Sequence, residues 1–275
     1  MNRTDLIQKL RNVGVDLPEL EARILCEEIA GLTRADMLGG APVTFTPDQT
    51  QRINSTIERR AAGESLWRIL GYRDFWKHRF ALSPDTLEPR PDTETLIETV
   101  LKAPPPRRIL DLGTGTGCIL ISLLHEFPEA TGVGVDIAQG AVETAQFNAQ
   151  NCGVGHRATF VRSNWFEHVE GKFDLIVSNP PYIPAPEIRN LQKEVQNHDP
   201  IRALDGGIDG LEPYKFLLPR CKNYLEAGGR VVMEIGIGQS EDLARLADDA
   251  GATLVRIVPD LGGVPRAVEI AYGDK

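Results

Sequence analysis

Cysteine, histidine and long apolar runs are all scarce in this chain, and each scarcity removes a class of function. The four cysteines among 275 residues, Cys26, Cys118, Cys152 and Cys221, are scattered, with no close-spaced pair. They read as buried reduced thiols and not as a disulfide framework or a metal cage. The five histidines are equally dispersed, so no zinc site and no metal are expected. No apolar run approaches the roughly 18 residues of a membrane span, and the start Met1-Asn2-Arg3-Thr4-Asp5 has no signal-peptide core. A cytoplasmic protein with no membrane partner is the expectation. No internal repeat or low-complexity tract stands out.

Positive charge is short as well. The net charge is −9, and it is uneven: residues 1–80 hold 12 Lys and Arg against 11 Asp and Glu, which leaves 18 against 28 in the remainder. An acidic remainder argues against direct nucleic-acid binding, because neutralising phosphates needs clustered cations. One locally basic stretch, Arg52, Arg59, Arg60, Arg68, Arg73, Lys77 and Arg79, reads as a solvated surface or as a docking face for a protein substrate. A hydrophobic content of 41% is enough for one sizeable core and a small second domain.

What is present begins with a strand, a glycine-rich turn and a helix. Arg108 to Leu112 reads as a buried strand, Gly113-Thr114-Gly115-Thr116-Gly117 as the turn, and Cys118 to about Phe127 as an apolar helix. Glycines let backbone approach a ligand at positive φ, and amides at a helix start meet polar or anionic groups. The glycine spacing is not that of a dinucleotide fingerprint, and the lysine of a phosphate-binding P-loop is missing. A second strand, Thr131 to Asp136, ends on a carboxylate placed to accept both hydroxyls of a ribose, an element common to NAD and S-adenosylmethionine (SAM) sites. After a helix from Ala138 to Cys152, a third strand, Ala158 to Arg162, runs into Ser163-Asn164-Trp165-Phe166. That end suits an adenine ring, with Asn164 on its edge and Trp165 or Phe166 near its face; Trp165 reads equally as a plain core aromatic.

The fourth strand, Phe173 to Ser178, stops at Asn179-Pro180-Pro181-Tyr182. Two prolines end a strand because each lacks the ladder donor and holds its predecessor extended, so the turn is rigid and exposes carbonyls. The side-chain oxygen of Asn179 and the carbonyl of Pro180 are placed to accept both N–H bonds of a substrate NH2 group, and Tyr182 offers a flat face to a planar amide or base. An ordinary Asx-Pro turn is the competing reading, and the SAM-type elements upstream decide against it. No His, Cys or Lys lies inside the motif to serve as a base, so catalysis by positioning is expected.

Together with Arg90-Pro91-Asp92-Thr93-Glu94 upstream, these motifs resemble the release factor glutamine methyltransferases, the PrmC or HemK family. The resemblance covers nearly the whole chain, including Gly71 to Phe80, Asp199 to Gly207 and Asp260 to Arg266. It implies SAM-dependent methylation, with S-adenosylhomocysteine as product, of the glutamine side-chain nitrogen in the Gly-Gly-Gln motif of class-1 peptide release factors. By resemblance, Gly113, Thr114, Gly115, Thr116, Gly117, Asp136, Asn164, Trp165 and Asn179 contact SAM, while Asn179, Pro180, Pro181 and Tyr182 hold the glutamine. Family members commonly carry Asp where this chain has Asn164, which keeps an acceptor but removes its charge. The competing functions are a ribosomal-protein glutamine methyltransferase, a nucleic-acid amino-methyltransferase, and a SAM-binding interaction module without activity.

The expected architecture is α/β, a Rossmann-like class I SAM-dependent methyltransferase sheet with a small N-terminal helical domain joined by a β-hairpin. Residues 1–65 are expected to form the substrate-recognition domain, 66–85 the hairpin linker and 86–275 the catalytic domain. Pro18 opens an amphipathic helix to Ala30, and Thr46-Pro47-Asp48-Gln49 is a capping box before a helix with Ile53, Ile57 and Ala61 on one face. Leu66 to Tyr72 and Phe75 to Leu82 read as strands about a turn at Arg73-Asp74. Pro184 to Gly210 reads as a long substrate-side loop with some helix. A helix from Pro213 to Leu225, stopped by Gly228-Gly229, precedes strands at Arg230 to Ile235, Thr253 to Val258 and Ala267 to Tyr272, with a helix at Ser240 to Ala250. Arg90 and Glu94 read as an ion pair or helix-capping pair, or as part of the closure of the SAM pocket. Glu234 reads as a buried polar residue with no catalytic part.

Overall fold

The structure, a computed structural model, describes residues 1–38 and 43–273, and the chain divides into two compact units, Met1–Leu70 and Gly71–Lys275. The first unit holds helices α1 (Arg3–Asn12), α2 (Pro18–Ala30), α3 (Arg34–Leu38), α4 (Pro47–Ala61) and α5 (Leu66–Leu70). Its capping boxes are complete: Thr46 accepts from the Gln49 amide while Gln49 accepts from the Thr46 amide, and Asn2 and Asp5 do the same at α1. The apolar face of α4 runs through Ile53 and Ile57 to Arg60, not to Ala61, which is exposed. Arg60 takes the buried position because both sides of its guanidinium fork donate to Glu21, each at 2.9 Å.

The expected strand from Leu66 is instead helix α5, whose start is held by the Arg68 amide donating to Ser65 Oγ. The hairpin lies later, β1 (Tyr72–Phe75) pairing with β2 (His78–Ala81), and its two-residue turn is Trp76-Lys77, not Arg73-Asp74. Trp76 adopts φ 55°, the left-handed region that costs a non-glycine residue about 1–2 kcal/mol. Two bonds hold it there: its amide donates to Glu94 and its indole to Glu126, both at 2.7 Å. The basic stretch proves to be largely paired, with Arg59 on Glu64, Arg60 on Glu21, Arg73 on Glu88, Lys77 on Glu126 and Arg79 on Asp74.

The second unit continues with α6 (Glu94–Leu101), β3 (Arg108–Leu112), α7 (Cys118–Glu126), β4 (Thr131–Asp136), α8 (Gln139–Asn151), β5 (Ala158–Arg162), β6 (Phe173–Ser178), α9 (Lys193–His198), α10 (Glu212–Cys221), β7 (Leu225–Glu234), α11 (Ser240–Asp249), β8 (Ala252–Pro259) and β9 (Pro265–Tyr272). Seven strands form one sheet in the order β5-β4-β3-β6-β7-β9-β8, parallel except for β9, which runs antiparallel to both its neighbours. The central strands bury both faces, with Leu110, Leu112, Ile176 and Val231 in one core and Ile109, Leu175, Val177 and Val232 in the other. That placement is why they read as near-continuous apolar runs. Strand β7 begins earlier than Arg230: Gly228 and Gly229 lie inside it, beside a register irregularity, and helix α10 has already ended at Cys221.

The chain moves outward from β3 through β4 to β5, then returns to place β6 on the other side of β3. This reversal is the topological switch point, where the loops after β3 and β6 part and open a crevice at the carboxyl edge. Asn148 of α8 secures one side of it. Its side chain, 1% exposed, accepts from the Ala81 amide at 2.9 Å and donates to the carbonyls of Ala81 at 3.1 Å and Thr116 at 2.9 Å. Replacing Asn148 by leucine strands those three backbone groups. We expect a loss of about 2–4 kcal/mol in urea-melt stability; a loss below about 0.5 kcal/mol would show that water replaces the anchor.

Candidate active site

The β3 turn is built by its own backbone. The amides of Gly113 and Thr114 both donate to the Val135 carbonyl at 2.9 Å, and the Gly117 amide donates to the Thr114 carbonyl at 2.8 Å. Gly113, Gly115 and Gly117 all have positive φ, which excuses them from the strain a side chain would suffer. Gly117 serves packing as well, since a Cβ there would lie 2.9 Å from Ile121 Cδ1 and 3.1 Å from Ala145 Cβ.

Beneath the turn, buried Asp111 accepts from the Thr114 hydroxyl at 2.6 Å, while its other oxygen has no partner. Burial pushes its carboxyl up to about 7. Asp136, at the end of β4, accepts from the Gly115 amide at 3.0 Å with one oxygen and from the Ala138 amide at 2.9 Å with the other. Each oxygen therefore keeps an acceptor site, and the carboxylate is aimed before any ligand arrives. Burial also raises its pKa.

At the end of β5, Trp165 sits at φ 52° with its indole 3.6 Å from the position a Cβ on Gly113 would occupy. The strained conformation lays the ring beside the glycine turn. Phe166 faces the other way, buried and stacked on Tyr224 with ring centroids 4.5 Å apart. Of the two aromatic candidates it is therefore the core residue. Asn164 donates through Nδ2 to Glu167 at 3.0 Å, leaving its oxygen as an acceptor.

Strand β6 delivers the acceptor motif beside the glycine turn. Leu112 and Ser178 are register partners, and the Ser178 hydroxyl donates to the Leu112 carbonyl at 2.7 Å. One residue further, Asn179 Nδ2 donates to Thr93 Oγ1 at 3.1 Å. That bond fixes the amide so that Oδ1 is its uncommitted end. Pro180 is buried, and Tyr182 is drawn behind the turn, where its hydroxyl donates to Glu234 Oε1 at 3.0 Å. Burial raises the Tyr182 pKa, so the phenol stays protonated.

The segment Arg90 to Glu94 spreads four side chains to four places. Arg90 pairs with Asp199 at 2.6 Å, Asp92 with Arg266 at 3.3 Å, Thr93 holds Asn179, and Glu94 holds the Trp76 amide. Arg90 and Glu94 thus do not pair with one another as one expectation had it; each reaches a separate loop. Two further residues escaped the sequence reading. Gln239 donates to the carbonyls of Tyr182 at 3.0 Å and Gly210 at 3.2 Å, and Gly210 packs so closely that a Cβ would meet the Tyr182 carbonyl.

These elements enclose a cavity of about 550 Å³, within the usual range for a small-molecule site. Gly113, Thr114, Gly115, Thr116, Asp136, Asn164, Trp165, Asn179 and Pro181 line it; Gly117, Pro180 and Tyr182 do not. Arg90 and Thr93 also line it. The charged lining is Asp85, Glu88, Asp136, Asp205 and Glu212 against Arg90 and Arg202. Both arginines already serve carboxylates, Arg90 on Asp199 and Arg202 on Asp85. A cavity of this sign suits a sulfonium compound with an ammonium group better than a dinucleotide with two phosphates. The donor set therefore fits SAM: a carboxylate with spare acceptor sites for the ribose, an amide oxygen and an indole for the adenine, and an apolar-walled turn. No group of His, Cys, Asp and Glu arranged to hold a metal ion occurs among the described residues.

Comparison with known proteins gives the family of the chain. Residues 86–195 match the Methyltransferase small domain model, and residues 3–71 match the PrmC N-terminal domain model. A release factor glutamine methyltransferase of Rhodospirillum rubrum is 45% identical over 262 residues, covering 94% of this chain and 81% of its own. Its counterpart in Agrobacterium fabrum is 44% identical over 268 residues, covering 95% and 93%. Among solved structures, a methyltransferase from Pyrococcus furiosus superposes with a TM-score of 0.54 at 19% identity, covering 83% of this chain and all of that one, a likeness of fold. With motifs, fold and relatives in agreement over nearly its full length, this chain belongs to the release factor glutamine methyltransferase family.

Proposed function

We propose that the chain methylates the side-chain amide nitrogen of the glutamine in the Gly-Gly-Gln motif of class-1 peptide release factors, in the cytoplasm, without contacting nucleic acid. In this reading residues 1–65 recognise the substrate, 66–85 form the linker and 86–275 carry the reaction. The observation that carries it is the orientation of Asn179, whose Nδ2 is committed to Thr93 while Oδ1 is left as an acceptor in a lined cavity beside the glycine turn.

Bound SAM supplies an electrophilic sulfonium methyl group. The chain's own residues place the two reactants: Gly113 to Thr116 shape the donor end, Asp136 accepts from the ribose, and Asn164 Oδ1 and Trp165 receive the adenine. Asn179 Oδ1 accepts an N–H bond of the substrate amide, and Pro181 forms the wall beside it; Pro180, whose carbonyl was the expected second acceptor, is buried and outside the lining. An amide nitrogen shares its lone pair with its carbonyl, so it is a poor nucleophile. A fixed acceptor counters this by stabilising the positive charge that grows on nitrogen and by aiming it at the methyl carbon. As the nitrogen–methyl bond forms, the methyl–sulfur bond would break to leave S-adenosylhomocysteine, and the surplus proton on nitrogen would pass to bulk water. Tyr182 acts from behind, as a support for the turn.

The test is transfer of radiolabel from SAM to a release factor, alongside its Gly-Gly-Ala variant, a ribosomal protein and DNA. Label is expected on the unaltered release factor alone. Label retained on the Gly-Gly-Ala variant, or found only on the ribosomal protein or DNA, overturns the reading.

A further inference from the structure

The far end of the acceptor turn is held by a side chain that lies outside the cavity lining. Gln239, at the N-cap of α11, is 7% exposed, and both ends of its side-chain amide are used. Its Oε1 accepts from the Gly236 amide at 2.8 Å, while its Nε2 donates to the carbonyls of Tyr182 at 3.0 Å and Gly210 at 3.2 Å. A single sense of the amide forms all three bonds, since the carbonyls need a donor and the backbone amide an acceptor. The cradle around it leaves no slack. A Cβ on Gly210 would lie 2.8 Å from Gln239 Nε2, and one on Gly236 would lie 2.8 Å from Oε1 and 3.1 Å from the Tyr182 ring. Gln239 is itself tied to the core, because its carbonyl accepts from the amide of buried Leu243 at 2.9 Å.

Asn179 to Tyr182 is a short stiff bar, because its two prolines fix φ and hold the residues before them extended. One end is pinned where Asn179 Nδ2 donates to Thr93 at 3.1 Å. The other end is pinned at Tyr182, by its hydroxyl on Glu234 at 3.0 Å and by its carbonyl on Gln239. Just beyond, the Ile183 amide donates to the Leu204 carbonyl at 3.0 Å and the Gly206 amide to the Ile183 carbonyl at 2.9 Å. Those bonds join the turn to the loop of residues 204–210, and Gln239 ties both to the end of β7 and the start of α11.

We propose that Gln239 is a positioning residue: by holding the carbonyls of Tyr182 and Gly210 together it sets the tilt of the proline bar, and so the direction in which Asn179 Oδ1 and Pro181 face the cavity. The inference rests on the reading of Asn179 as the acceptor for the substrate amide. Without this tie the bar is free to pivot about Asn179, and the substrate nitrogen loses its line toward the methyl carbon. A misplacement of about 1 Å at reacting atoms costs on the order of 100-fold in rate. SAM binding is untouched, because Gln239 and its partners Tyr182, Gly210 and Gly236 all lie outside the cavity lining.

The test compares the full-length protein with Gln239→Met, which keeps the length of the side chain and removes all three bonds, and with the milder Gln239→Asn, one methylene too short to span them. Arg157→Met is the control. Arg157 stands just before β5, at the opposite edge of the sheet, and also donates to three backbone carbonyls, those of Leu124, Phe127 and Ala130. At saturating SAM, the single-turnover rate on the release factor is expected to fall roughly tenfold or more in Gln239→Met, less in Gln239→Asn, and to stay within about twofold in Arg157→Met. The SAM Kd should stay within about twofold in all three. A second readout needs no substrate: the side-chain NH2 resonance of Asn179 should shift or broaden in both Gln239 variants, although Gln239 does not bond to it, and stay in place in Arg157→Met. An unaltered rate in both Gln239 variants, an equal loss of rate in Arg157→Met, a loss of SAM affinity that matches the loss of rate, or an unmoved Asn179 resonance overturns the proposal. A moved resonance in a protein that labels no release factor would instead overturn only the choice of substrate.

Discussion

Asn179→Ala is expected to lower kcat by roughly 10²- to 10³-fold, the loss typical when one preorganised hydrogen-bonding group is removed from a charge-developing site. The substitution deletes the oxygen proposed to accept from the substrate amide and leaves the Thr93 hydroxyl without its donor. It leaves the glycine turn, Asp136 and Trp165 in place, because the turn is held by Val135 and by its own backbone. The effect should therefore fall on the chemical step. Rapid-quench measurement of a single turnover, with calorimetry of SAM binding, separates the two quantities. A kcat near that of the unaltered protein would mean that the substrate amide is oriented by other groups. A SAM Kd weakened as much as kcat would place Asn179 chiefly in the donor site.

Asp136→Ala has the opposite signature. Its carboxylate is already oriented by the Gly115 and Ala138 amides, so no reorganisation is needed to receive two hydroxyls. Hydrogen bonds to a charged acceptor contribute about 1.5–3 kcal/mol each. Even one such loss weakens SAM binding by about 10- to 100-fold. At saturating SAM the turnover should stay within a few-fold of normal. Titration calorimetry with SAM and with S-adenosylhomocysteine measures both affinities, and a Kd changed less than twofold for either ligand would remove Asp136 from the ribose site. Asp136→Asn should lie between, since its amide keeps one acceptor but turns a donor toward one of the amides that hold it.

Much of the site was legible because its chemistry is written in residues whose backbone behaviour is strongly constrained. Glycines after a buried strand and prolines after another each permit few conformations, so the turns after β3 and β6 could be located and their adjacency inferred from the order of strands. Asp136 was found for a related reason: an acid at the end of an apolar strand has few structural uses. The hairpin was misplaced because its turn carries no local signal. Trp76-Lys77 turns only because Glu94 and Glu126, far along the chain, hold a tryptophan in a left-handed conformation. The helix of Leu66–Leu70 is likewise set by Ser65 at its start, while its apolar and β-branched composition favours a strand. Glu234 and Gln239 were unreadable in function because each meets the acceptor turn through Tyr182, more than fifty positions away. The motif Arg90 to Glu94 shows the same limit: it marks the family, yet no rule of spacing foretells that its side chains diverge.

That divergence has a consequence for how the enzyme comes into being. Asp92 reaches Arg266 at the start of β9, a strand inserted between β7 and β8 although it is made after both. As synthesis proceeds, the glycine turn, the carboxylate of β4 and the acceptor motif all emerge before the residue that ties their supporting segment to the sheet. A nascent chain thus carries the glycine turn, the β4 carboxylate and the acceptor motif while the strand between β7 and β8 is still missing from the sheet.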